Sequence, residues 1–194
     1  FDLGNVLIDW DPRHLYRRIF EDSDRMERFL RDVCSPDWIR QSDAGRPLAE
    51  LIAELTDRHP REAGNIALYE SHWHEMLREA IDGSLQLLHR LKAQDTPLYV
   101  LSNWSAETWP RAVERFDFLE LFDGMLISGL EGVAKPDPEI YRRLERFGIA
   151  LERAVFIDDR PENIKAANAL GMTGILFTGP EALAAELSAL DLLV

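Results

Sequence analysis

The stretch that decides the fold is FDLGNVLIDWDP, residues 1–12. Its apolar residues place a carboxylate, that of Asp2, at a predicted turn. Phe1 is typical of the last residue of a buried strand, and Gly4 and Asn5 lower the steric cost of a tight turn after it. An aspartate in this place is either an ordinary turn residue or a nucleophile. The rest of the chain decides between the two interpretations.

The stretch from Pro12 to Ala80 has apolar residues at helical spacing with charged residues between them. Breaks near residues 21–23, 35–36, 44–47 and 60–65 divide it into four or five helices. The pattern predicts helix throughout this stretch, packed as a small bundle. The predicted core residues of the bundle are Phe20, Phe29, Trp38, Leu51 and Trp73.

Beyond residue 80, short apolar strands alternate with helices. Strands are predicted within 97–104, 125–128, 154–157 and 173–177, and helices within 84–93, 106–116, 137–147, 161–170 and 180–190. This alternation indicates right-handed crossovers and a parallel sheet that helices cover on both faces. The sequence therefore predicts an α/β fold with a doubly wound, three-layer core and an inserted helical bundle.

Polar residues follow several of the predicted strands. In an open parallel sheet, ligands bind beyond the carboxyl ends of the strands, so residues at these ends converge on one crevice. The residues at these ends are Asp2, Ser102, Asn103, Asp158 and Asp159, and the loop after residues 125–128 adds Lys135. Each of them also fits an ordinary turn or helix cap, but the parallel topology brings all of them to one edge.

These residue types suit the chemistry of a phosphate ester. Asp2 and Asp159 can bind Mg²⁺, a hard cation that needs only one or two protein carboxylates. Lys135 supplies a positive charge, and Ser102 and Asn103 can donate hydrogen bonds to phosphoryl oxygens. The predicted reaction is in-line attack by the Asp2 carboxylate, an aspartyl-phosphate intermediate, and hydrolysis by water.

Four motifs together resemble those of the haloacid dehalogenase-like hydrolases. They are FDLGNVL (1–7), LSN (101–103), AKPDPEIY (134–141) and FIDDRPENI (156–164), in that order along the chain. The resemblance implies a Rossmann-like core, residues 1–11 and 81–194, and a helical cap, residues 12–80. It also implies a phosphatase of the kind that acts on sugar phosphates.

The resemblance implies a role for each matching residue. Asp2 is the nucleophile and a metal ligand, the Gly4 carbonyl and Asp159 are further ligands of Mg²⁺, and Lys135 stabilises negative charge. Ser102 and Asn103 bind the phosphoryl group, whereas Asp158 lies behind the metal ligands and Asn163 supports the acidic loop. This chain departs from the family pattern at Gly4, where typical phosphatases carry an aspartate that acts as general acid and base. Asp9 and Asp11 are candidates to replace it.

Two other functions remain open on the sequence alone. A 2-haloacid dehalogenase would use the same aspartate nucleophile without metal and would tolerate Gly4, but it would carry serine and asparagine in place of Asp158 and Asp159. A phosphate-binding regulatory protein would keep the site with little turnover. A receiver domain is disfavoured because its acidic pair precedes its phospho-acceptor in the chain, the reverse of the order here.

Charge and cysteine content narrow the partners. The chain has 194 residues and a net charge of −13, so its field repels polyanions such as nucleic acids and anionic membranes. We expect a small phosphorylated metabolite as the partner, and either a monomer or a homodimer. The single Cys34 excludes an internal disulfide and favours the cytoplasm. Because the chain opens without Met inside a strand, we expect further residues before Phe1.

Overall fold

The computed structural model describes residues 1–193 and has the predicted α/β class. The strands are β1 (Ile8–Trp10), β2 (Leu77–Ala80), β3 (Tyr99–Ser102), β4 (Gly124–Ile127), β5 (Val155–Asp158) and β6 (Thr173–Leu176). The helices of the first half are α1 (Arg13–Tyr16), α2 (Ser23–Asp32), α3 (Pro36–Asp43), α4 (Leu48–Arg58) and α5 (Ala63–Ser71). Those of the second half are α6 (Asp82–Ala93), α7 (Trp109–Arg115), α8 (Ser128–Glu131), α9 (Pro138–Arg142), α10 (Pro161–Ala169) and α11 (Pro180–Ala189).

Residues 1–2 lie at the centre of the parallel sheet. Strands β3 and β4 pair in parallel on one side, and β5 and β6 pair in parallel on the other. The Leu101 N–H donates to the Phe1 carbonyl at 3.0 Å, and the Asp2 N–H donates to the Ile157 carbonyl at 2.9 Å. The strand order is therefore β4, β3, residues 1–2, β5, β6. The winding reverses at residues 1–2, which puts Asp2 where a doubly wound sheet forms its crevice.

Both faces of this sheet are buried, as the continuous apolar strands predict. Successive strand residues alternate between two hydrophobic clusters, one on each face. Val100, Ile127 and Ile157 belong to one cluster, and Leu101, Leu126 and Phe156 belong to the other. Helix α10 packs on β5 and β6, and α11 packs on α6. Burial on both faces confirms the three-layer arrangement and fixes the strand ends relative to one another.

The helices of residues 12–80, which we call the helical segment, are separated at the breaks that the sequence predicts, although α1 already ends at Tyr16. The Asp22 side chain caps α2 by accepting from two backbone N–H groups, and Ser35 caps α3 with Pro36 in its first turn. The five predicted core residues are all buried and belong to the same cluster as one face of the sheet. The helical segment thus packs on the core through a continuous apolar interior.

The prediction of helix throughout residues 12–80 is wrong at its end. Leu77–Ala80 is strand β2, which pairs antiparallel with β1, where Ile8 lies opposite Ala80. The Arg115 guanidinium also donates to the Leu77 carbonyl at 2.9 Å. Only Leu77 and Ala80 of the four β2 residues are apolar. A run this short has no decisive period of its own, so pairing with β1 outweighs the helical spacing.

Other differences concern boundaries. Helix α7 begins at Trp109 rather than near 106, and α9 ends at Arg142, after which residues 143–147 form a 3₁₀ helix. Ser128 begins α8 instead of ending β4, and Asp158 is the last residue of β5. None of these shifts moves a site residue away from the sheet edge. Within residues 1–193, no helix has both the length and the apolar composition that a membrane crossing requires.

Candidate active site

The structure brings the predicted residues together at the carboxyl edge of the sheet. Asp2 ends the central segment, Ser102 ends β3 and Asp158 ends β5, while Lys135 reaches them from the loop before α9. These four side chains are almost completely buried. Asn103 and Asp159, which directly follow β3 and β5, are half-buried. The strand ends therefore carry a buried charged cluster with a more open rim.

Lys135 binds both carboxylates of the cluster. Its Nζ lies 2.6 Å from Asp158 Oδ2 and 3.0 Å from Asp2 Oδ1, and it donates to the Leu101 carbonyl at 2.9 Å. An ammonium group has three donors, so these contacts use all of them. Burial opposes the charge of Lys135, but the attraction of Asp2 and Asp158 outweighs it and raises its pKa. Lys135 is therefore a fixed cation.

Asp2 is held through one of its two carboxylate oxygens. The Leu3 N–H donates to Oδ1 at 2.8 Å and the Ser102 hydroxyl donates to Oδ1 at 2.6 Å, on the same side as Lys135. Among residues 1–193, no hydrogen bond to Oδ2 is found. Burial raises the pKa of Asp2 to about 6, and Lys135 opposes this rise only in part. The arrangement orients the carboxylate and leaves one oxygen for chemistry.

Asn5 gives the turn after Asp2 its shape. It adopts a left-handed conformation with φ of 58°, which asparagine tolerates better than most residues. Its Oδ1 accepts a hydrogen bond of 3.3 Å from the Trp10 N–H, which ties the turn to β1. The predicted tight turn is present, and Asn5 rather than Gly4 takes the positive φ.

Ser102 and Asn103 bind protein groups in this structure. The Ser102 hydroxyl donates to Asp2, and the Asn103 amide donates to the Lys135 carbonyl at 2.9 Å. The Lys135 N–H in turn donates to Asn103 Oδ1 at 2.8 Å. Asn103 therefore fixes the loop that presents the lysine. A contact of either side chain with a phosphoryl group stays a prediction.

Asp158 and Asn163 support the cluster from behind. Asp158 is fully buried and accepts from Lys135, from the Arg160 N–H at 2.8 Å, and from the Asn163 amide at 2.9 and 3.0 Å. The Tyr141 hydroxyl donates to the Asn163 carbonyl at 3.0 Å. With its oxygens engaged in this way, Asp158 acts by holding Lys135 and the loop after β5.

The acidic residues form a donor set that suits Mg²⁺. One carboxylate oxygen each from Asp2, Asp158 and Asp159 lie within 4.8 Å of one another. Burial and the neighbouring Asp158 raise the pKa of Asp159, and Arg160 and Lys135 oppose this rise only in part. In residues 1–193, no other residue donates a hydrogen bond to the Asp159 side chain or to the Gly4 carbonyl. Hard oxygen donors in this arrangement fit a magnesium ion.

A cavity of about 650 Å³ opens in front of these side chains. The core contributes Asp2, Gly4, Asn103, Lys135 and Asp159 to its lining. The helical segment contributes, among others, Arg13, Leu30, Ile39, Arg40, Asp43 and Tyr69. The sequence predicts no site residue in α3, because Asp43 has the pattern of an ordinary helix end. Only the docking of α3 on the core reveals that it faces the site.

A family model for the haloacid dehalogenase-like hydrolases matches residues 1–171. The chain belongs to this family. Its relatives include the sesquiterpene phosphatase astK of Aspergillus oryzae, with 30% identity over 96% of this chain and 92% of that protein. A glyceraldehyde 3-phosphate phosphatase of Pyrococcus furiosus is 27% identical over 91% of this chain and 78% of its own length.

A solved structure of the family has the same architecture. A wild-type HAD family enzyme from Bacteroides thetaiotaomicron, in complex with magnesium and inorganic phosphate, superposes with a TM-score of 0.64 and 25% identity over 90% of each chain. With phosphatases among its relatives, this member of the haloacid dehalogenase-like hydrolases is a phosphoric monoester hydrolase.

Replacing Lys135 by Met tests the charge balance of the cluster. Removal of the cation leaves Asp2 and Asp158 as unpaired buried carboxylates, so we expect the free energy of unfolding to fall by about 3–5 kcal/mol. Urea denaturation measures it, with Lys165→Met as the control, since Lys165 is exposed on α10. A loss below about 1 kcal/mol, the size of a surface ion pair, would contradict the assignment of Lys135 as the cation that holds the cluster.

Proposed function

We propose that this protein is a Mg²⁺-dependent phosphatase that hydrolyses a small phosphorylated metabolite, such as a sugar phosphate, through an aspartyl-phosphate on Asp2. The observation that carries the proposal is the environment of Asp2. Its carboxylate is buried, oriented through Oδ1 by Ser102 and Lys135, and open to a cavity that Asp159 also lines. A carboxylate held this way is suited to nucleophilic attack.

The chain supplies most of the required groups itself. Asp2 Oδ2 attacks phosphorus, the bond from phosphorus to the leaving oxygen breaks, and water later cleaves the acyl-phosphate to release inorganic phosphate. Lys135 offsets negative charge beside the attacking carboxylate. Asp2, Asp159 and the Gly4 carbonyl would hold the magnesium ion, which supplies charge neutralisation at the phosphoryl oxygens. Asp158 and Asn163 keep Lys135 in position.

The acidic pair favours this function over a metal-free dehalogenase. Asp158 is matched by Lys135, whereas Asp159 has no comparable cation within residues 1–193 and adds negative charge beside Asp2. Such a carboxylate would repel a 2-haloacid, which is itself an anion. With a divalent cation present, the same carboxylate contributes to binding a phosphate ester.

We further propose that the helical segment is a cap that selects the organic part of the substrate. Its residues line the cavity opposite Asp2, including the apolar Leu30 and Ile39 and the cations Arg13 and Arg40. Such a lining accepts a partly apolar phosphate ester as well as a sugar phosphate. We keep the cytoplasm as the proposed compartment, in line with the free, buried Cys34.

A substrate screen tests the proposal. We expect the protein to release phosphate from sugar phosphates or terpenyl phosphates with Mg²⁺ present, and to lose this activity with excess chelator. The same screen includes 2-haloacids, assayed by halide release with and without Mg²⁺. Halide release that persists in chelator, together with no phosphate release, would instead identify a dehalogenase. Binding of phosphate esters without turnover would identify a regulatory protein.

A further inference from the structure

The backbone at Gly4 leaves open space where family phosphatases carry their proton-transfer aspartate. Gly4 is not among the glycines with positive φ, and a Cβ built on it would meet no atom within 4 Å. The glycine is therefore required neither by backbone conformation nor by crowding. A side chain at this position would have room, yet the chain supplies none, so a proton donor must come from elsewhere.

Asp43 lies across the cavity from this space. It is the last residue of α3, and it lines the main cavity together with Asp2. It also lines a narrower adjoining cavity together with Gly4 and Asn103. In the part of the chain that the structure describes, the Asp43 carboxylate has neither a hydrogen bond nor an ion pair, and Arg40 of the same helix pairs with Asp37 instead. Asp43 is thus available to a bound molecule.

The turn after α3 is docked on the core, which fixes Asp43 relative to the strand ends. Gly45 has φ of +99°, and a Cβ on it would lie 3.5 Å from the Gly129 carbonyl oxygen, so the two backbones are close. The Leu48 N–H donates to the Glu107 carboxylate at 3.1 Å, which ties the start of α4 to the core. One contact lies within the turn at residues 44–47 and the other directly follows it, so together they hold the end of α3 against the site.

We propose that Asp43 is the general acid and base of this phosphatase, in the place of the aspartate that is missing at Gly4. The proposal rests on the phosphatase function proposed above. In the first step, Asp2 bonds to phosphorus, the leaving oxygen departs, and the proton of Asp43 moves to that oxygen to give the alcohol. In the second step, Asp43 takes a proton from the water that attacks phosphorus, which restores Asp2 and releases phosphate.

The surroundings of Asp43 suit proton transfer near neutral pH. Burial raises the pKa of Asp43 to about 7, and the negative charge of Asp2 adds to the rise. The charged and titratable groups that act on its carboxylate or on which it acts are Asp2, Lys135 and Arg160 from the core, Arg40 from α3 and Tyr69 from α5. The cavity that it faces is also lined by Asp9, Asp11, Arg13, Glu27, Arg31, Asp159 and Glu162. An acid with a pKa near the working pH is partly protonated and partly ionised, as the two steps require.

The test compares leaving groups in the full-length protein with Mg²⁺. For Asp43→Asn we expect kcat/KM to fall by about 10²–10³-fold on alkyl phosphates and to change little on dinitrophenyl phosphate, whose leaving group departs without a proton. Gly4→Asp in the Asp43→Asn background should restore much of the loss on alkyl phosphates. In the wild type, kcat/KM for alkyl phosphates should fall as the pH rises above the pKa of Asp43, and this fall should be absent in Asp43→Asn. Asp57→Asn, on the exposed side of α4, is the matched control.

Other outcomes would overturn the assignment. Equal losses on all leaving groups in Asp43→Asn, with an unchanged melting temperature, would reduce Asp43 to substrate positioning. If Asp43→Asn hydrolyses alkyl phosphates at the wild-type rate, Asp43 takes no part in the reaction. If Asp9→Asn shows the loss on alkyl phosphates instead, Asp9 is the general acid and base. In these cases the wild type still releases phosphate, so the proposed function stands. A wild type that releases no phosphate from any ester would overturn both proposals.

Discussion

Asp2→Asn is expected to lower phosphate release by more than about 10⁴-fold, the size of loss seen when an enzyme loses its nucleophile. An amide oxygen is a poor nucleophile and cannot form the acyl-phosphate. The fold should survive, because Asn keeps an oxygen that can accept from the Leu3 N–H and the Ser102 hydroxyl. Lys135 also keeps its shorter contact, with Asp158.

Two measurements separate the loss of the nucleophile from a general loss of structure. Acid-quenched reactions with a radiolabelled substrate should trap a hydroxylamine-sensitive phosphoprotein in the wild type and none in Asp2→Asn. Circular dichroism melts should agree for the two proteins within a few degrees, with Asp57→Asn as an exposed control of the same chemistry. Activity of Asp2→Asn within tenfold of the wild type would remove Asp2 from the nucleophile role.

Topology made most of the site predictable from the sequence. Asp2, Ser102 and Asp158 lie 56 or more residues apart in the chain. Each ends or directly follows a buried strand, and parallel strands end at one edge of their sheet. The same rule does not say which partner each side chain takes. The Ser102 hydroxyl could bind a ligand or Asp2, and only the packed strand ends show that it donates to Asp2.

Long-range contacts explain what the sequence did not predict. Strand β2 has a helical pattern of apolar residues, and its pairing with β1 depends on residues about seventy positions away. Asp43 ends a short amphipathic helix, and nothing in its neighbours distinguishes it from Asp32 or Asp57. Its place in the cavity depends on the contact of Gly45 with Gly129 across the fold. Local sequence patterns determine where helices and strands form, whereas long-range contacts determine which helix and strand ends face the site.

Asp159→Asn and Asp158→Asn should affect different properties, Mg²⁺ affinity and stability, although the two residues are neighbours in sequence. Asp159 receives no hydrogen bond from another residue in residues 1–193, so its replacement costs the fold little and removes a proposed ligand of Mg²⁺. We expect the Mg²⁺ concentration at half-saturation to rise by at least about 10–100-fold, the loss typical of groups that only support a ligand. Calorimetric titration of Mg²⁺ measures it directly, independently of turnover.

Asp158→Asn should instead lower stability. It removes the closer charged partner of Lys135, at 2.6 Å, so we expect the free energy of unfolding to fall by about 3 kcal/mol or more. The contrast follows from the hydrogen bonds alone, since Asp158 accepts from Lys135, Arg160 and Asn163. Equal Mg²⁺ affinities in Asp159→Asn and the wild type would exclude Asp159 as a ligand. Phosphate release that persists in excess chelator would exclude the metal from the reaction.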